Sequence, residues 1–242
     1  MSNIPRGKLI VNILFLLVLL AGIAACFYFL RSSGDVTQFK RYGLRIGIVV
    51  LSLIAWFTTQ SMISGRACKS GLIFDLAHEL SAKANAYFNK NSKAANVLLI
   101  TSSAFIDLFA IFLICASIFG PSMRPFIALL ILFMMRQICQ ASCALPIPPN
   151  MIWRSPGFPS LLVTYGVAND FFFSGHTAIA VLGSIEVFRL CPVWWVGIIA
   201  VLVAVFEMVT VLILRAHYTM DVFTAVVAAF CASWLAALLC AL

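Results

Sequence analysis

Charge is what this sequence has least of. Of 242 residues, 10% are charged and only eight are acidic, whereas 63% are apolar; soluble domains average about 25% charged. A mean hydropathy of +1.08 argues against a soluble enzyme and against a disordered chain. The sixteen Lys and Arg are scattered between apolar runs rather than gathered into a stripe, so nucleic acid is not expected as a partner. Histidine is rarer still, with three in the chain. The eight cysteines form no CxxC pair and share no metal-ligand spacing with histidine. Neither a metal nor another cofactor is expected, and the thiols read as small buried side chains. Internal repeats and low-complexity tracts are absent, which favours a single membrane domain.

What the sequence does have is a series of apolar runs of the length a helix needs to cross a bilayer, roughly 20 residues. They fall near 9–30, 44–64, 97–119, 125–144, 172–190, 193–214 and 220–242. All must be helical, because lipid offers no partner to a bare backbone. The expected fold is therefore all-α, a polytopic transmembrane helix bundle of about seven spans. Residues 1–65 would hold the N-terminal helices, and 66–242 the core. The first run follows Arg6 and Lys8 and includes Ile23-Ala24-Ala25-Cys26, which also resembles a cleaved lipoprotein signal. Its continuation through Phe27–Leu30 favours an uncleaved helix.

Ile73, Leu76, Leu80, Ala84 and Tyr87 recur at three- and four-residue steps, predicting an amphipathic helix near 70–90. With Lys83, Lys90 and Lys93 nearby, it can lie in the headgroup layer or cover the end of the bundle. His78 on it reads as a solvated or interfacial side chain. Alternation of the spans puts nine basic residues on the face of loops 66–96, 145–171 and 215–219, and six on the other. The positive-inside rule assigns the first face to the cytosol.

Two histidines keep unusual company. Ser174-Gly175-His176-Thr177 opens the fifth span, and Arg215-Ala216-His217-Tyr218-Thr219-Met220-Asp221 opens the seventh, on the same membrane face. His217 and Asp221 stand i,i+4, so they share one helix face. The carboxylate can hold one ring nitrogen protonated and leave the other as base or nucleophile. Such pairs also merely cap or brace helices; two histidine motifs at helix starts on one face tilt the balance toward chemistry. Gly175 permits close backbone approach, Ser174 can cap the helix, and helix N-termini favour anions such as phosphate.

These residues resemble the sphingomyelin synthases and the plant phosphatidylcholine:diacylglycerol cholinephosphotransferases, a branch of the type 2 phosphatidic acid phosphatase superfamily. The resemblance rests on Arg136, separated by eight residues from Leu145-Pro146-Ile147-Pro148, on Asp170 six before His176 in the SGHT element, and on His217-Tyr218-Thr219-Met220-Asp221-Val222. It covers roughly 66–235. Lipid phosphate phosphatases instead carry K-x6-RP and S-R-x5-H; here Ser117 stands before Arg124-Pro125 where the lysine belongs, and Thr210-Val211 stand where the serine and arginine belong. The resemblance implies a headgroup transferase. His217, oriented by Asp221, would form a phosphohistidine intermediate, and His176 would be the acid and base. The partners would be a phospholipid donor and a lipid acceptor, with choline or ethanolamine, ceramide or diacylglycerol, and homo-oligomerisation left open. Related enzymes usually work on the exoplasmic or lumenal face, so the side and the compartment stay open as well. A lipid phosphate phosphatase using water is the alternative, and a catalytically silent lipid-binding protein another.

Asp107, Arg136 and Glu207 lie inside apolar spans, where an unpaired charge costs several kcal/mol. At about 1.5 Å per residue each sits roughly 10–15 Å below the histidine face. Arg136 is expected to pair with Asp107 or Glu207, the other acid facing the reaction chamber; a purely structural ion pair is equally open. Phe171, Phe172, Phe173 and Tyr218 can supply a cation–π wall for choline. Arg215 and Tyr218, beside His217, complete the expected substrate contacts. Glu186 and Arg189, i,i+3, read as a structural pair near the opposite face.

Overall fold

A computed structural model describes residues 36–64, 73–163, 165 and 171–240. The expected span 9–30 and Asp170 lie outside the described residues. Among those described there are helices and no strand: α1 (Val36–Ser64), α2 (Leu76–Leu80), α3 (Ala82–Lys90), α4 (Ser92–Phe119), α5 (Arg124–Ser142), α6 (Gly175–Leu190), α7 (Trp194–Ile213) and α8 (Thr219–Leu239). Four of them, α4, α5, α7 and α8, are long and apolar enough to cross a membrane. Their outward faces carry Leu108, Ile111, Trp194, Leu202, Phe230 and Trp234, all exposed, as a surface solvated by lipid rather than water requires. The chain divides into two compact units, Met1–Leu51 and Ser52–Leu242. In the first, the described residues form the beginning of α1, where Arg41 and Arg45 lie over the Tyr42 ring.

Helix α4 begins at Ser92, five residues before the expected 97. Hydropathy sees only the apolar part of a helix, and the polar first turn escapes it although Ala95 within that turn is fully buried. Helix α6 is only 16 residues long, and most of it faces other helices rather than lipid. It packs against α4, α5, α7 and α8, and its residues from His176 to Ser184 are all buried. Small side chains permit this: without a hydrophobic force between helices in lipid, close approach and interhelical hydrogen bonds must hold them. The Ser184 hydroxyl lies 2.8 Å from the Ala200 carbonyl on α7. On α8, Ala225, Ala229, Ala232 and Ala236 make a fully buried seam, and α8 packs against α5 and α6.

At the end of the bundle away from the histidines, the expected Glu186–Arg189 pair is present at 2.8 Å. Arg124 joins it, donating to the other Glu186 oxygen and to the hydroxyl and carbonyl of Ser233. Arg124, paired with the buried Glu186 carboxylate, thus ties α5, α6 and α8 together.

A methyl group on Gly183 would run into the buried Phe109 ring. Gly183→Ala should lower stability by about 1–3 kcal/mol, the usual cost of overpacking. Thermal unfolding in detergent checks this, and Phe109→Leu in the same chain should recover part of the loss.

Candidate active site

The segment before α4 is two short helices, not the single amphipathic helix expected. Asp75 caps the first, accepting the His78 N–H at 3.1 Å, and the chain turns at Ser81 into the second. Their polarity is turned inside out. Phe74 and Leu80 are 78% and 79% exposed, with Leu76 and Tyr87 also outside, whereas Asp75, His78 and Asn85 are buried. His78 is therefore not the solvated side chain its surroundings in the sequence indicated. Its Nε2 lies 2.9 Å from the His217 carbonyl, and its ring packs on Tyr218 at 5.4 Å.

The polar side chains of this hairpin grip the connection between α7 and α8. Asn85 donates to the Ile213 carbonyl at 2.8 Å, satisfying an acceptor that the end of α7 leaves open. Asp75 accepts the Thr219 N–H at 2.6 Å and its hydroxyl at 2.8 Å, so one carboxylate caps the starts of both α2 and α8. Arg215 stands between them with φ +55, the left-handed conformation that ends many helices. Its guanidinium donates to the carbonyls of Pro149 at 3.0 Å and His78 at 3.1 Å. Arg215 thus braces three segments.

This clamp presents His217. Its Nδ1 lies 2.9 Å from the Phe171 carbonyl, while the Asp221 carboxylate is 3.6 Å away. The Phe171 carbonyl thus holds the ring, and Asp221 stands within ion-pair reach on the same helix face, as the i,i+4 spacing indicates. Asp221, fully buried, accepts the Tyr218 N–H at 2.8 Å and so caps α8, adding its negative charge beside the imidazole. The Tyr218 hydroxyl donates to the Pro146 carbonyl at 3.1 Å.

His176 enters from α6. Ser174 caps that helix, accepting the Thr177 N–H at 3.3 Å, and Phe173 before it is buried with φ +91. A bulky residue held at positive φ is strained, and the packing around it enforces the sharp entry that brings His176 inward. The Trp153 ring stands edge-on to His176 at 5.2 Å and is backed by Tyr165 at 5.1 Å. The Ile152 N–H, donated to the Leu214 carbonyl at 2.8 Å, anchors this loop to the connection that carries His217. His176 Nε2 is buried with no hydrogen-bond partner.

Both histidines line one cavity of about 200 Å³. Its polar end holds His176, His217, Arg136, Trp153 and the Gly175 backbone; its walls are apolar, among them Phe126, Leu129, Phe133 and Ile179. Arg136 Nε lies 3.6 Å from where a Gly175 side chain would begin, so the guanidinium approaches the N-terminus of α6.

The expected layer of intramembrane charges does not form as an ion pair. Asp107 accepts the N–H groups of Leu161 and Leu162 at 2.7 and 3.0 Å, and Glu207 accepts the Ser102 hydroxyl at 2.6 Å. Both acids are turned to partners other than Arg136, and neither lines the cavity. Of the expected aromatic wall, Phe171 lines the cavity, whereas Phe172, Phe173 and Tyr218 do not. Trp153, Asp75, His78 and Asn85 escaped sequence reasoning. Buried polar residues on the polar side of an amphipathic pattern were the signal for the last three.

The fold and the site define a helical membrane protein with two histidines at the polar end of an apolar cavity. Residues 74–238 match the family model described as AtPDCT1/2, the phosphatidylcholine:diacylglycerol cholinephosphotransferase family. The chain belongs to that family and is a phosphotransferase. No curated protein and no solved structure matches it.

Burial raises the Asp75 pKa, but the bonds from Thr219 and the His78 N–H outweigh it and hold the carboxyl below its ordinary 3.8. The folded chain thus binds this proton less readily than the unfolded one. Asp75 should stabilise the fold above pH 3.8, and its contribution should fade as the pH falls through the lower folded value. Unfolding temperatures of wild type and Asp75→Asn across this acid range check it: their difference should shrink toward low pH.

Proposed function

We propose that the chain transfers phosphocholine between phosphatidylcholine and diacylglycerol at the cavity shared by His176 and His217. The bond at His217 Nδ1 carries this proposal. A carbonyl only accepts, so Nδ1 keeps the proton and Nε2 keeps the lone pair that a nucleophile needs. Nε2 attacks the phosphorus of phosphatidylcholine, a phosphohistidine forms, and the bond to the glycerol oxygen breaks. His176 gives that oxygen a proton and diacylglycerol leaves. A second diacylglycerol returns its hydroxyl proton to His176, its oxygen attacks phosphorus, and the phosphorus–nitrogen bond to His217 breaks. The negative charge of the phosphodiester favours the protonated form of His176, and Asp221 favours the charge that develops on His217.

Arg136 and the N-terminus of α6 converge on one end of the cavity, an arrangement suited to the phosphate. Trp153 and Phe171 offer ring faces to the quaternary ammonium. Choline over ethanolamine, and diacylglycerol over ceramide, follow the family to which the chain belongs. In this reading the chain has about seven spans, a six-span-type core of the type 2 phosphatidic acid phosphatase superfamily plus one extra N-terminal span, with 1–65 holding the N-terminal helices and 66–242 the catalytic part. The resemblance also gives Asp170, six residues before His176, a part in substrate binding.

The purified protein in vesicles with choline-labelled phosphatidylcholine and a diacylglycerol of distinct acyl chains tests this. Label should appear in phosphatidylcholine carrying the new chains. Label released as free phosphocholine would instead make water the acceptor, and label on added ceramide would make it a sphingolipid enzyme. His217→Ala should reduce transfer to background, and His176→Ala should lower it by about 10²–10⁴-fold.

A further inference from the structure

We propose that His78 and Asp75 of the α2–α3 hairpin are positioning residues for His217; this rests on the nucleophilic role of His217 given above. Neither residue lines the cavity, and both are buried against the connection that carries the histidine. His78 holds the His217 carbonyl at 2.9 Å. The facing oxygen only accepts, so Nε2 of His78 carries the proton and donates it. Asp75 holds the backbone two residues further on, at Thr219, and also the N–H of His78 itself. Arg215 closes the loop by donating to the His78 carbonyl.

These bonds matter because the rest of the hold on the His217 main chain is weak. Its own N–H reaches the Val211 carbonyl only at 3.4 Å, and its ring is fixed at one point, the Phe171 carbonyl. With His78 removed, the carbonyl of the nucleophile is freed, and the main chain around it can shift. In-line attack at phosphorus tolerates little of this: a displacement of about 1 Å can cost about 10²-fold in rate. Substrate contacts are untouched, so the loss should fall on kcat and not on KM.

Two substitutions separate donor from bulk. His78→Phe keeps a ring against Tyr218 and loses the donor; His78→Gln keeps an N–H donor at similar reach. In the vesicle transfer assay, His78→Phe should lower kcat about 10–100-fold with KM within about twofold and the unfolding temperature near wild type. His78→Gln should regain most of the rate. Asp75→Asn, which keeps the shape and one acceptor, should lower kcat by about three- to tenfold and serves if His78→Phe fails to fold. Wild-type kcat in His78→Phe, or equal losses in His78→Phe and His78→Gln, overturns the proposal while His217→Ala remains inactive. If His217→Ala transfers as well as wild type, the nucleophilic role fails first and the positioning role falls with it.

Discussion

Hydrocarbon offers no hydrogen-bond partner, so each polar group carried into a membrane protein must find its partner within the chain. In this chain that constraint decides where polarity sits. At one end of the bundle, Glu186 gathers Arg124 and Arg189, with Ser233 accepting from the second terminal nitrogen of Arg124. At the other end, Asp75, His78, Asn85 and Arg215 satisfy the open carbonyls and N–H groups where α7 stops and α8 starts. Between the two ends lie small residues and α6, most of which faces the four helices packed around it.

The same constraint shapes reactivity. A histidine whose Nδ1 faces a carbonyl has its tautomer set by the main chain, and its other nitrogen is free for chemistry. Asp221 can then serve two purposes at once. It accepts the Tyr218 N–H as the cap of α8, and from 3.6 Å it favours positive charge on His217. Removing its carboxylate would disturb the helix start and the electrostatics together, so its substitution alone cannot apportion them.

Much of this was legible in the residues. The hydropathy runs locate the described helices to within a few residues at most ends, because a spanning helix has to be continuously apolar. Both histidine motifs meet at one cavity, as their places at helix starts on one face implied. The intramembrane charges were misjudged for a definite reason. Position along a helix gives depth, which is all that the sequence positions of Asp107, Arg136 and Glu207 indicate. Whether two side chains meet also depends on rotation about each axis, at 3.6 residues per turn, and on what the loops bring. Asp107 is taken by the main chain at Leu161 and Leu162, in an irregular loop whose path no periodicity predicts. The hairpin failed similarly: amphipathicity shows that two faces differ, and only the surroundings decide which faces inward. In water His78 would point out; beside lipid, Leu80 and Phe74 do.

In the proposed transfer, water has to lose the competition for the phosphorylated histidine. Water is small and abundant, so the advantage has to come from access. Among the described residues the walls of the cavity are largely aromatic and aliphatic, with His176, His217, Arg136 and Ser52 among its few polar side chains. An acyl-bearing acceptor gains by burying its chains along such walls, whereas a water molecule there would give up hydrogen bonds without replacement. The apolar character that marks the whole chain thus recurs in the cavity walls, which suit the proposed lipid acceptor better than a water molecule.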